Sequence, residues 1–189
     1  MFQEMINGSI AVLSKPSVST FEEHEKDNLT WALIYSVIAG LINAVLAAIG
    51  SSISGTGVGM GTAISSGIFG TIIGLLISWG ITFGLGRAFG GTGKFGELAW
   101  NFSLFSAPLT IVSSVLGLIP ILGGIAALVL VIYNFYLSYL AIQAGMNLPS
   151  QKALYVILIE VAIFVVIVGC IAVFAGAMLA LVMSGGAGQ

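Results

Sequence analysis

Long apolar runs, separated by short polar or glycine-rich breaks, organise this chain. Five stretches stand out: residues 29–50, 63–89, 98–118, 121–144 and 153–183. Each is close to or above the ~20 residues that an α-helix needs to cross a bilayer. None alternates polar and apolar positions over ~10 residues, as the strands of a membrane barrel do. The pattern predicts an all-α integral membrane protein, with a five-transmembrane-helix bundle occupying residues 29–189. Little more than "IPILGG" divides the third stretch from the fourth. Pro120 and the pair Gly123–Gly124 break the helix there, which predicts a tight helical hairpin. Pro108 interrupts the third stretch and is expected to kink it.

Residues 1–28 follow a different pattern. Phe2, Met5, Ile6, Ile10 and Leu13 fall near one face at helical spacing, ahead of Pro16. A short N-terminal amphipathic helix is expected, lying on the membrane interface or packed under the bundle. Thr20 and Glu23 have capping-box spacing, so a second short helix is expected to begin there. Glu4 occupies the place where a secretory signal carries a positive charge.

Composition strengthens the membrane reading. The chain is 58% hydrophobic and 6% charged, with a mean hydropathy of +1.14. A soluble domain carries about 25% charged residues, so a water-soluble globule is excluded. The positions of the charges add an orientation. Lys15 and Lys26 precede the first span, Arg87 and Lys94 flank the connection between the second and third, and Lys152 precedes the fifth. The other connections, "SSISGTGVGMGT", "IPILGG" and "SGGAGQ", hold no Lys or Arg. Positive residues mark the cytoplasmic side, so the N-terminus is expected in the cytoplasm and the C-terminus outside. Glu4, Glu22, Glu23, Glu25, Asp27 and Glu97 fall on the same side. That surface is mildly acidic, unlike a polybasic lipid-binding patch.

One acid stands apart. Glu160 lies in "YVILIEVAIFVVIVG". The fifth stretch would be roughly 46 Å long as a helix, at 1.5 Å per residue, against a hydrocarbon core of about 30 Å. If its cytoplasmic end protrudes, Glu160 sits at the headgroup boundary, with Tyr155 in the aromatic belt. If the carboxylate faces the bundle interior, it is a functional candidate. Its expected partner is then Arg87, or it serves a proton or ion relay. Asn43, Asn101 and Asn134 are the amides within spans. Each is expected to hydrogen-bond across helices, and Asn43 and Asn134 join Glu160 and Arg87 as the candidate polar site.

Small residues recur at every fourth position. The second span carries Ser66, Gly70, Gly74, Ser78, Thr82, Gly86 and Gly90; the first carries Ser36, Gly40, Ala44, Ala48 and Ser52. Such stripes let helix backbones approach closely in lipid. The first two spans are expected to pack tightly on each other, and a homodimer through one stripe is the alternative.

No catalytic or metal-binding constellation emerges, and no cofactor is implied. His24 sits alone among acids, whereas a metal site needs several converging ligands. Cys170 lies within an apolar run and reads as a small buried hydrophobe. "GGTGKFGELAW" lacks phosphate-loop spacing and reads as a turn into the third helix. Nothing points to nucleic acid as a partner.

Three segments carry a resemblance. They are "SKPSVSTFEE" with Pro16 and Phe21, "GGTGKFGELAWNFSLFSAP" with Phe95, Glu97 and Pro108, and "YLAIQAGMNLPSQKAL" ending in Lys152–Ala153. The chain resembles the Yip family, the Ypt/Rab-interacting membrane proteins, and most of all its bacterial and archaeal branch. The resemblance implies a five-span, non-enzymatic protein with a cytoplasmic N-terminus, in the inner membrane of a prokaryote. Eukaryotic members work with small GTPases in vesicle traffic; this chain lacks their long N-terminal region and their "DLYGP"-type motif. The functions that follow are a scaffold organising membrane lipid or protein partners from the cytoplasmic face, a small transporter or channel using Glu160, or an accessory subunit of a larger membrane complex. A scaffold predicts a dry bundle. A transporter predicts a polar cavity reaching Glu160, Asn43 or Asn134.

Overall fold

A computed structural model describes residues 1–54, 60–119 and 122–186, with side chains placed for 1–50, 70–119 and 123–176. Seven helices follow one another: α1 (Phe2–Ser14), α2 (Val18–His24), α3 (Leu29–Ser54), α4 (Met60–Ala88), α5 (Phe95–Gly117), α6 (Leu122–Met146) and α7 (Ser150–Gly186). No strand occurs among the described residues. The five long helices, α3 to α7, are long and apolar enough to cross a membrane. The protein is an all-helical integral membrane bundle, as the hydropathy pattern predicts.

α5 is the central helix. It packs against α3, α6, α4 and α1, and its first half, from Gly96 to Phe105, is almost entirely buried. Leu98, Trp100, Leu104 and Phe105 form a core there with Leu137, Ile142 and Met146 of α6. Pro108 lies inside α5; lacking an N–H, it leaves the Leu104 carbonyl without its helical donor. Glu97 caps the start of the helix, its carboxylate accepting the Lys94 N–H at 2.7 Å.

The N-terminal helices complete this core. α1 buries Met5, Gly8, Ser9 and Val12. Gly8 faces Leu104, Ser9 and Tyr35 share a hydrogen bond of 3.0 Å, and the Tyr133 hydroxyl donates to the Leu13 carbonyl at 2.7 Å. The apolar stripe read from spacing is therefore divided: Met5 goes inward, while Phe2 and Ile10 stay exposed. Small Gly8 and Ser9, on the same face as Met5 and Val12, let α1 approach the bundle closely. α2 starts earlier than its sequence suggests. Ser17, not Thr20, is the N-cap, and its hydroxyl accepts the Thr20 N–H at 3.1 Å. Ser17 stands directly after Pro16, where the chain is already extended, so it meets the first free N–H groups. α2 sends Phe21 against Phe105, and the His24 carbonyl accepts the Trp100 indole N–H at 2.8 Å.

The charges gather at this end of the bundle. Lys26 pairs with Glu4 at 3.0 Å, and Lys94 with Asp27 at 3.1 Å. Lys26 holds the Glu4 carboxyl below its usual range, and Asp27 holds the Lys94 ammonium above its own. These pairs are exposed and contribute little to stability. The turn between α4 and α5 is tied down by backbone contacts instead: Thr92 N–H donates to the Met146 carbonyl at 2.9 Å. Gly90 there has φ +90°, a left-handed conformation that favours glycine.

α7 is held differently. Ala153, Val156 and Ile157 are buried against the core. From Phe164 to Gly176 the helix is open, with Phe164, Ile171, Val173 and Phe174 between 63% and 75% exposed.

Candidate functional site

A cavity of about 880 Å3 lies between α4, α5, α6 and α7, with one residue of α3 on its wall. Most of the lining is apolar or aromatic. Polar groups from five helices are among the lining: Asn43 from α3, Ser78 from α4, Thr110 and Ser114 from α5, Asn134 from α6, Glu160 from α7. Counting 1.5 Å per residue from the charged-end terminus of each helix, these groups lie about 15 to 28 Å in. Glu160 and Ser78 are at the near end of that range and Ser114 is at the far end.

Glu160 faces inward. Its carboxylate lines the cavity and is hydrogen-bonded by the hydroxyl of Thr82. That hydroxyl also lies 3.0 Å from the Ser78 carbonyl, so one proton faces two acceptors. Thr82 is 1% exposed and fixed on the face of α4 that meets α7. An Arg87–Glu160 ion pair is not formed. Arg87 reaches the Gly91 carbonyl at 3.2 Å, and its guanidinium carbon sits 5.0 Å from the centre of the Phe83 ring. The reason is local: Arg87 is in the last turn of α4, where carbonyls lack helical donors, and it is satisfied there without turning toward α7.

The two other candidate amides share the cavity but differ in bonding. Asn43 Oδ1 meets the Ser114 hydroxyl across α3 and α5, the cross-helix bond expected of an amide in lipid. Asn134 is half-buried and has no side-chain hydrogen bond among the described residues. Asn101 lies outside the cavity, completely buried, and donates to Glu25.

The small-residue stripes divide between two roles. On α3, Ser36, Gly40 and Ala44 are buried. Gly40 is the close crossing with α4, since a Cβ there would lie 2.7 Å from Thr71 Oγ1. On α4, a Cβ at Gly70 or Gly74 would meet nothing within 4 Å. Gly74 and Ser78 line the cavity, and Gly86 packs on Met146 of α6. The stripe of α4 is thus not a continuous seam with α3, because Thr71, one position off it, makes the contact. Ser66 lies outside the described side chains.

Comparison with known families adds one finding. A model of the Yip1 domain matches residues 10–171. The chain belongs to the Yip1 domain family. The match takes in the end of α1 from Ile10, all of α2 to α6 and α7 as far as Ile171, and it assigns no bacterial or archaeal branch. No curated protein matches the chain, and no solved structure does. In this Yip1-domain protein, sequence reading had overlooked Thr82 as the partner of Glu160. It had also overlooked the hydroxyl face of α5. Ser106, Thr110, Ser113 and Ser114 follow helical spacing and all line the cavity, a pattern visible in the sequence but masked by the high hydropathy around it. Among the described residues no group of three or more His, Cys, Asp or Glu is placed to hold a metal.

Proposed function

We propose that this Yip1-domain chain is a non-enzymatic membrane protein whose cavity takes up an amphipathic molecule from the bilayer. Its polar head lies toward Glu160, and its apolar tail runs along α6 and α7. One observation carries the reading: Glu160, Asn134 and Asn43, from three different spans, line the same cavity. A pure scaffold is expected to be dry, sealed by its small-residue seams. A cavity of about 880 Å3 falls instead within the ~300–1,000 Å3 typical of ligand sites, which are mostly apolar with a few placed polar groups. The open flank of α7 supplies a lateral entrance for a tail. The charged end, which we assign to the cytoplasm by the positive-inside rule, offers a polar surface where a protein partner can sense occupancy, so organising lipid and holding a partner belong to one function.

The test is the lipid that stays with the protein through purification in a mild detergent. Gly74 lines the cavity and a Cβ there would meet nothing within 4 Å, so Gly74→Phe is the substitution chosen to fill the site. Mass spectrometry of the intact complex is expected to find about one retained lipid per wild-type chain and a large loss in Gly74→Phe. Equal retention in both proteins refutes the reading.

Glu160 favours a second reading, a small transporter. A protonated Glu160 can donate to Thr82 while Thr82 donates to the Ser78 carbonyl; an ionised one accepts from Thr82. The site accommodates both protonation states, which a proton relay requires. Uptake or conductance in liposomes that is lost in Glu160→Gln supports it; passive liposomes across a wide solute panel count against it.

A further inference from the structure

The cavity has a marked chemical bias. Glu160 is the only charged side chain among the described residues that line it. Neither Lys152, the cation nearest Glu160 in sequence, nor Arg87 lines the cavity: Lys152 is exposed at the start of α7, and Arg87 is engaged by the Gly91 carbonyl and the Phe83 ring. An anionic head entering this cavity would meet a carboxylate and no counter-charge, in a low-dielectric setting where like charges repel strongly. The rest of the wall has the opposite preference. Trp79, Phe102, Phe105, Phe135 and Phe164 all line the cavity, and aromatic faces attract cations, most strongly where water is excluded. Asn134 adds a carbonyl oxygen with no partner among the described residues. Carboxylate, unpartnered amide oxygen and aromatic faces together make the acceptor set of a site for an ammonium group, which carries only donors.

We infer that the cavity selects an amphiphile with a cationic amine head, binding the ammonium at Glu160 and Asn134 among the aromatic rings and the tail along α7. The inference rests on the amphiphile reading above and specifies its head group. The tail has a defined place, since Ile163, Phe164 and Ile167 of α7 face the cavity beyond the stretch where that helix is anchored.

Trp79 supplies a built-in reporter. It is 1% exposed and lines the cavity, so a bound chain carrying bromine quenches its fluorescence. The full-length protein in nanodiscs of neutral lipid is titrated with three probes. The first is a brominated long-chain amine, the second the same chain ending in a sulfonate, and the third a tailless amine offered as competitor. The wild-type protein is expected to be quenched by the amine at a concentration at least about tenfold below the sulfonate, and this amine preference to vanish from the fluorescence of Trp79→Phe, which retains only Trp31 and Trp100 outside the cavity. Glu160→Gln keeps an acceptor for the Thr82 hydroxyl and is expected to bring the two chains to equal potency. Equal quenching by amine and sulfonate in the wild type, or an amine preference that survives Glu160→Gln, overturns the head-group assignment while leaving amphiphile binding intact. No quenching by either chain overturns amphiphile binding itself. Full displacement by the tailless amine shows that the head alone binds, which overturns the tail placement and the bilayer source. The wild-type comparison needs no substitution, so it stands even if a variant fails to accumulate.

Discussion

Gly93→Ala is expected to loosen the whole charged end of the bundle. A Cβ at that position would lie 1.8 Å from the Gly145 carbonyl oxygen and 2.8 Å from the Met146 Cα. Ordinary contact is about 3.5 Å, and the obstructing atoms are backbone, which cannot rotate away. The turn between α4 and α5 must therefore move off the end of α6 by roughly 1.5 Å to restore contact. That shift breaks the Thr92 N–H bond to the Met146 carbonyl, 2.9 Å, and the longer one from Gly93, 3.5 Å. Each is worth about 1 kcal/mol net, and overpacking adds about 1–3 kcal/mol. The sum is about 3–5 kcal/mol. At this chain length it corresponds to a fall in Tm on the order of 10 °C. The assay is thermal unfolding in detergent followed by circular dichroism. Gly84→Ala is the control: a Cβ there meets nothing within 4 Å, and alanine favours the helix by up to about 1 kcal/mol. Its Tm should hold or rise. A Gly93→Ala protein that melts within about 2 °C of wild type, a shift of roughly 1 kcal/mol or less, would refute the close-approach argument.

Three shorter predictions test other contacts. Burial holds the Glu25 carboxyl above its usual range, Glu97 and Glu22 add to the rise, and the Asn101 hydrogen bond opposes it. The fold therefore binds this proton more tightly than the unfolded chain does. The stabilisation is complete below the ordinary carboxylate range and is lost as pH rises through the raised folded value. Glu25→Gln should melt higher than wild type at pH 7.5 and equally at pH 4, and a lower melting point at pH 7.5 contradicts the sign. Gly40→Ala should lower stability by about 1–3 kcal/mol through overpacking on Thr71; Thr71→Ala in the same chain should restore most of it, and no rescue would place the strain elsewhere. Tyr133→Phe removes the donor to the Leu13 carbonyl, at a cost of about 1 kcal/mol, and should speed proteolysis of residues 1–14 while leaving α3 to α7 intact; unchanged cleavage means the bond does not hold α1.

The five spans were legible because apolar length alone decides which segments cross lipid, and runs such as residues 153–183 leave no competing assignment. The Gly40 crossing was legible for a similar reason: small residues every fourth position mark where backbones approach. Two features needed coordinates. Gly74 obeys the same spacing as Gly40 yet faces the cavity, because a stripe records which side of a helix is smooth and says nothing of what lies opposite. Glu160 took Thr82 rather than Arg87, although charge pairing favoured Arg87, because Arg87 finds a carbonyl and a ring within its own turn. Local satisfaction outcompeted a long-range ion pair, and single-sequence reading ranks those two poorly. α1 shows the same limit. Its apolar residues were visible, but the buried face is the one where Gly8 and Ser9 sit between Met5 and Val12, and their small size sets how closely α1 approaches.

Rigidity in this fold is unevenly distributed, and the division coincides with the cavity. The charged end is locked by α1, α2, the first half of α5 and the turn before it, where Met5, Phe21, Trp100 and Met146 are at most 1% exposed. Glu160 follows directly on that locked region, three residues after buried Ile157, and its partner Thr82 is itself buried. The polar floor of the cavity is therefore fixed. Its outer wall is not: Phe164 and Ile167 belong to the exposed length of α7. A helix anchored over its first turns and exposed from Phe164 to Gly176 can tilt with little loss of core contact, because its buried side chains sit near the pivot. In the proposed amphiphile site, the cavity would then widen for an entering tail while Glu160 and Thr82 keep their spacing. Under the proposed function, this arrangement would separate selection, at the rigid end by Glu160 and its neighbours, from admission, by the exposed length of α7. It also ties occupancy to the charged end, since any change in the tilt of α7 pivots on Ala153 and Val156, which pack into the same core as α1 and α2.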